Sequence, residues 1–251
     1  MLRQGFANVR QVETKRDFHD VVTQYDRDAE EAIGACLLRR VPNSAICGEE
    51  HGVRGSGEVT WYVDPIDGTA NFAIGVPFFC VSIAAVQDDE VLAAVIYDPL
   101  RSEVFSACLD ETTCNGQPIV SRGASADGEA LLVTGFPKYR PWELAPASRS
   151  EQEIFAEMVA SFRTVRRLGS AALSLAYVAA GRVDVAFDIF LNPWDVAAGA
   201  LLVAGAGGAF HPIPATAEYL AAPWKASATV AHVGNFDLTT SCLASLVMSC
   251  A

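Results

Sequence analysis

Histidine is scarce in this chain. There are four, at 19, 51, 211 and 232, and they are not spaced as a set of zinc ligands. The seven cysteines (36, 47, 80, 108, 114, 242 and 250) are odd in number and form no C-x-x-C pair. A disulfide framework and a zinc site are therefore not expected, and the thiols read as reduced and buried, in a cytoplasmic protein. Basic charge is short as well. Eighteen Lys and Arg against 30 Asp and Glu leave a formal net charge of −12, so nucleic acid is not an expected partner, since its binders usually carry a basic surface. No apolar run has membrane-spanning length, and the longest, around Val196 to Phe210, is interrupted by glycines. Met1 to Phe6 have no apolar core of signal-peptide length. Internal repeats, low-complexity tracts and flexible linkers are missing too. What is present is 251 residues, 51% apolar and 19% charged, enough for one large α/β domain or two closely packed halves.

One stretch organises the rest: Trp61-Tyr62-Val63-Asp64-Pro65-Ile66-Asp67-Gly68-Thr69-Ala70-Asn71-Phe72. Trp61 to Val63 suit a half-buried strand. Pro65 cannot continue a central strand, so Asp64 and Asp67 are expected around a stiff bend. Such a bend can aim both carboxylates and the Ile66 carbonyl at one point, which is costly unless a hard cation sits there. Gly68 and Thr69 follow with backbone N–H groups suited to an anion. Alone, the stretch fits a plain hairpin equally well, because Asp-Gly is a favoured turn dipeptide.

Along the chain, Asp26 to Arg40 reads as a helix with Ala29, Ala32, Ile33, Cys36 and Leu37 on its apolar face. Asp26 fits its N-cap, and the acidic first turns match the macrodipole. Ala45 to Gly52 is a short apolar segment ending in Glu49 and Glu50. Phe78 to Ala85, Val91 to Tyr97 and Glu103 to Ala107 read as antiparallel strands, with a hairpin turn at Asn115-Gly116. Leu131 to Thr134 is another strand. Ser150 to Glu153 is a capping box, followed by a helix with Ile154, Phe155, Met158, Val159 and Phe162 on one face. A strand at Thr164 to Leu168 leads to a helix from Gly169-Ser170-Ala171-Ala172 to Gly181. A strand at Arg182 to Phe187 leads to a helix from Pro193 to about Gly205, and the last strand, Thr229 to Val233, to a closing helix at Asp237 to Met248. This order predicts an α+β half (1–140) carrying the paired aspartates and an α/β half (141–251), with the boundary near 138–150.

Asp195 starts a helix, and alone it reads as a cap. Together, Glu49, the Asp64/Asp67 pair and Asp195 place acidic groups at the ends of separate elements, where side chains project from a scaffold. Four carboxylates and a carbonyl can hold two Mg²⁺ ions, and an all-oxygen set favours magnesium over zinc.

These residues resemble a known family. Asp64 to Phe72 is similar to the first signature of the inositol monophosphatase family, and Trp194-Asp195-Val196-Ala197-Ala198-Gly199 to its second. Gly48-Glu49-Glu50 resembles the acidic motif upstream, Asp20 to Thr23 with Asp26 the N-terminal one, and Gly169 to Ala172 the loop lining the substrate pocket. The matches run in family order from about Lys15, itself aligned with a basic position near the site, to Gly208. The resemblance implies a layered α-β-α-β-α sandwich of the sugar phosphatase type, usually a homodimer, hydrolysing a small phosphate monoester with two or three Mg²⁺ ions. Carried over residue by residue, it assigns one metal to Glu49, Asp64 and the Ile66 carbonyl, and a second to Asp64, Asp67 and Asp195. It gives Gly68 and Thr69 to the phosphate, Gly169, Ser170, Ala171 and Asp188 to the substrate, and Thr69 with Asp26 to the attacking water. Histidinol-phosphate, fructose-1,6-bisphosphate and 3′-phosphoadenosine phosphatases are the rival activities, with Asn71-Phe72 favouring the inositol-like branch over the last. A non-catalytic regulatory protein on the same fold is the rival of another kind. Asp188 stands where inositol phosphatases often place a glutamate, which weakens the case for inositol. Residues 109–114 replace a glycine-rich turn, position 205 lacks a common glutamate, and the leader is short.

Overall fold

The computed structural model describes residues 1–6, 13–14, 21–108, 111–139, 141–142, 149–213 and 216–248. The expectations placed on Lys15, Asp20 and the 109–110 part of the altered loop lie outside these residues. The chain opens with α1 (Leu2–Phe6), the short pair β1 (Glu13–Thr14) and β2 (Val21–Val22), and then α2 (Gln24–Arg40). Next come β3 (Ser44–Gly48), β4 (Gly52–Gly55), β5 (Val59–Asp67), α3 (Thr69–Ile74), β6 (Cys80–Gln87), β7 (Glu90–Asp98) and β8 (Glu103–Cys108). β9 (Glu111–Cys114) and β10 (Gln117–Pro118) close the first half. The second half holds β11 (Leu131–Thr134), α4 (Glu151–Ser161), β12 (Thr164–Arg166), α5 (Ala171–Ala179), β13 (Val185–Ile189), α6 (Pro193–Gly205), β14 (Ala209–Ile213), α7 (Ala217–Ala221), β15 (Ala228–His232) and α8 (Ala244–Met248).

Eight strands form one mixed sheet in the order β10-β9-β8-β7-β6-β5-β3-β4, and five form a second in the order β12-β11-β13-β15-β14. Helices α5 and α6 pack on each other and reach strands of both sheets, while α2 packs on β5 and β3, α4 on β12 and α8 on β14. The result is the layered α-β-α-β-α arrangement expected from the sequence. One apolar core runs from Phe78 to Val247 and takes side chains from both sheets and from the α5–α6 layer. Because β11 pairs in parallel with β12 and β13, the change of sheet falls between Pro118 and Leu131.

Several local readings shift. The buried face of α2 is Asp26, Ala29, Glu30 and Gly34, whereas Ala32 is exposed. The apolar count misplaced that stripe because two of the buried residues are carboxylates. Val159 is 54% exposed and Phe155 only half-buried, so of the expected helical face Ile154, Met158 and the C-cap residue Phe162 are buried. The closing helix is two pieces, a 3₁₀ turn at Leu238–Thr240 and α8, because Asp237 caps the first and Ser241 Oγ accepts from Leu243 N–H to restart the second. The described cysteines are free, but of these only Cys80 is buried and Cys108 is exposed. No helix of the described residues is long and apolar enough to cross a membrane.

Candidate active site

The bend expected at Pro65 is present as an irregularity in β5. Pairing with β6 is regular through Asp64 and resumes at Asp67, with a register shift between them. Neighbouring β3 pairs with β5 only as far as Val63, so Pro65 removes no ladder hydrogen bond on that side. The shift turns Asp64 and Asp67 inward, where they are 2% and 9% exposed. Asp64 Oδ1 accepts from Ile66 N–H at 2.9 Å. Asp67 Oδ2 accepts from Ser170 Oγ at 2.5 Å and from Ala172 N–H at 2.6 Å, which ties β5 to the start of α5. Gly68 follows with φ of 101°, a backbone shape that favours glycine, and a Cβ there would stand 3.1 Å from the carbonyl oxygens of Gly169 and Phe78.

Thr69 Oγ1 lies 3.0 Å from Asp26 Oδ1 and 2.9 Å from the Ile66 carbonyl. One hydroxyl proton serves one of these acceptors at a time, which leaves the oxygen's lone pairs to accept a hydrogen bond from a neighbouring water. The N-cap of α2 is Thr23 and not Asp26 as expected, because the helix begins at Gln24. Asp26, wholly buried, is the third helical residue and closes the capping box, its Oδ2 accepting from Thr23 N–H at 2.8 Å and Thr23 Oγ1 at 2.6 Å. The capping role and the site role thus fall on two oxygens of one carboxylate. Glu49 donates its N–H to the Val63 carbonyl at 3.1 Å, and its charge is the largest carboxylate influence on Asp64 after burial. Asp195 is the third residue of α6, and its Oδ2 accepts from Asn192 N–H at 2.7 Å.

Burial, and then the charges of Glu49, Asp67 and Asp195, push Asp64 well above the usual carboxylate range. Burial and Asp67 do the same to Asp195. Burial also raises Asp67, against the lowering pull of Ser170 and the α5 N–H groups. Carboxylates that repel in this way need protons or cations between them. Among the described residues, however, no three acidic, His or Cys side chains are gathered tightly enough to hold an ion as they stand. Three of the carboxylates are turned onto N–H or O–H donors instead. The donor chemistry, all oxygen with mutual repulsion, suits a hard cation.

Beside these residues opens a cleft of about 710 Å³ lined by Asp67, Asp195, Asp188, Lys138, Arg167 and the 169–171 turn. Here Asp188 accepts from Lys138 Nζ at 3.0 Å and from Ile189 N–H at 2.8 Å. The expected residues Gly169, Ser170, Ala171 and Asp188 all face it. Ser170 belongs to the aspartate shell as well as to the pocket.

Four residues of the neighbourhood were not anticipated as parts of a site. Lys138 and Arg167 line the cleft, and Arg167 donates to the carbonyls of Gly135 and Pro137 at 2.9 Å each. Asn71 donates to the Phe78 and Leu168 carbonyls at 2.7 Å each, stapling α3 to the segment before Gly169. Glu30 lies behind the Glu49 loop. Its spacing of four from Asp26, on one helix face, was the signal available.

The sequence profile described as "Inositol monophosphatase family" matches residues 1–246. A Pseudomonas aeruginosa protein called Nus factor SuhB is 42% identical over 211 residues, covering 82% of this chain and 77% of that one. The inositol-1-monophosphatase of Synechocystis is 40% identical over 207 residues, covering 81% and 70%. Among solved structures, the extragenic suppressor protein suhB of Bartonella henselae superimposes with a TM-score of 0.83 at 31% identity, covering 93% of this chain and 88% of that one. An IMPase from Thermotoga maritima gives 0.78 at 32% identity, covering 93% and 87%.

Proposed function

The chain belongs to the inositol monophosphatase family, and on that premise we propose that it hydrolyses a small phosphate monoester with the help of Mg²⁺. The observation that carries this reading is the mutual approach of Glu49, Asp64, Asp67 and Asp195, from three separate segments, with Asp67 and Asp195 lining a cleft of substrate size. Glu49, Asp64 and the Ile66 carbonyl would hold one ion, and Asp64, Asp67 and Asp195 a second. Bound there, the ions would supply positive charge for the phosphate and the departing alkoxide and would acidify a water. The protein's own part is positioning. Thr69, held by Asp26, orients the attacking water; as Thr69 Oγ1 takes the water's proton, its own hydroxyl proton passes to Asp26. The N–H groups of Gly68 and Thr69 hold phosphate oxygens, and the 169–171 turn confines the ester from the other side. No side-chain nucleophile is required, since phosphoryl transfer rests mainly on alignment and charge stabilisation.

The alcohol part of the substrate lies against Asp188 and Lys138, a donor and acceptor pair suited to hydroxyl groups. Inositol phosphate heads the candidates, followed by histidinol phosphate and sugar phosphates. A second reading is a Nus factor role, favoured because several relatives at 38–42% identity carry the name Nus factor SuhB. The proposed protein is a homodimer acting in the cytoplasm. The test is phosphate release from inositol, histidinol, fructose and phosphoadenosine phosphates, with Mg²⁺ and with EDTA. Metal-dependent release from at least one is expected. Release that persists in EDTA contradicts the metal reading, and no release with Mg²⁺ present favours the non-catalytic one.

A further inference from the structure

Glu30 sits in the middle of α2 and is wholly buried. A carboxylate so placed requires partners, and it has them. Its Oε2 accepts from Glu50 N–H at 2.7 Å. Its Oε1 accepts from His51 N–H at 3.0 Å and lies 2.9 Å from His51 Nδ1. The Arg54 guanidinium stands 3.8 Å away. Space for the carboxylate exists because position 48 is glycine: a Cβ there would lie 2.3 Å from both Cδ and Oε1 of Glu30. Glu49 is therefore held from both sides, by its own N–H on the Val63 carbonyl and by the next two N–H groups on Glu30. One turn earlier on the same helix face, Asp26 holds Thr69.

We propose that Glu30 is a positioning residue: it latches the loop 49–51 to α2 and so sets where the Glu49 carboxylate stands relative to Asp64. Helix α2 then carries two buried carboxylates four residues apart, one fixing the hydroxyl end of the site and the other its acidic loop. The consequence for metal binding rests on the phosphatase reading above, whereas the latch itself does not.

The test has three arms. In the wild-type protein without metal, amide hydrogen exchange at Glu50 and His51 is expected to be as slow as in the centre of α2; fast exchange at both contradicts the latch outright. In Glu30→Gln, an amide NH₂ replaces one acceptor oxygen in front of N–H donors. Exchange at Glu50 and His51 is expected to quicken, and Mn²⁺ affinity, followed by electron paramagnetic resonance, to fall by about 10-fold or more, as for other outer-shell losses. Gly48→Ala is expected to produce the same loss from the opposite side. Glu31→Gln, on the exposed side of α2, is expected to keep wild-type affinity. Wild-type Mn²⁺ affinity together with wild-type exchange in Glu30→Gln overturns the proposal. A wild-type protein that hydrolyses no ester, while Glu30→Gln still loses Mn²⁺, leaves the latch standing and removes the phosphatase reading.

Discussion

Asp67 holds two jobs on one side chain. Its Oδ2 anchors Ser170 and Ala172, and its charge adds to that of Asp195. The buried carboxylates oppose one another, so a divalent cation that relieves them should stabilise the fold. Mg²⁺ at about 100 times its dissociation constant is expected to add about 2.7 kcal/mol, read as a higher melting temperature at neutral pH. Asp195→Asn is expected to shrink that increment, and an unchanged increment would count against Asp195 as a ligand. A second residue-scale prediction concerns His211 and His232, whose Nε2 atoms stand 3.0 Å apart. His232 Nδ1 lies 2.8 Å from the Val233 carbonyl and must be its donor, so His232 Nε2 accepts from His211. Burial lowers both pKa values below the ordinary 6.5. The unfolded chain then binds more protons in mildly acidic solution, so this stability is full above about pH 6.5 and is lost as pH falls below it. His211→Gln is expected to flatten the decline of melting temperature between about pH 7 and 5. A decline as steep as in the wild type would show that the pair is not its source.

Helix ends were the most legible elements. The capping box at Ser150 forms as expected, with Ser150 Oγ accepting from Glu153 N–H at 3.2 Å and Glu153 reaching back to Ser150 N–H at 2.8 Å. Ser150→Ala is expected to cost about 1 kcal/mol, measured by urea unfolding; a loss below about 0.3 kcal/mol would mean that the cap is redundant. Pro193 begins α6 and Asn115-Gly116 takes positive φ at both turn positions, as their local chemistry dictates. The paired aspartates, Glu49 and Asp195 were legible as acidic groups at element ends. Their contacts were not, since Asp67 to Ser170 spans 103 residues and Thr69 to Asp26 spans 43. The buried face of α2 was misread because periodicity counts apolar residues, and Asp26 and Glu30 are buried for the donors they meet. Strands such as β4, β9 and β10 are too short to show a period of two.

At the scale of the whole molecule, the two sheets are joined through α5 and α6, so the site is assembled from both halves: Asp64 and Asp67 from one, Asp195 and Ser170 from the other. Leu173, fully buried in α5 within the shared core, is therefore expected to matter to both sheets. Leu173→Ala should cost about 2–5 kcal/mol and lower one common unfolding midpoint rather than split it, as followed by circular dichroism and tryptophan fluorescence. Two separated transitions would show that the halves are independent. The central claim, that carboxylates converging from both halves support metal-dependent phosphate release, is tested most directly by Asp67→Asn and Asp195→Asn at saturating Mg²⁺, alongside circular dichroism. Both variants are expected to stay folded and to lose about 10²-fold or more in kcat, the scale of removing one preorganised charge contact. Wild-type rates in either folded variant would contradict the account.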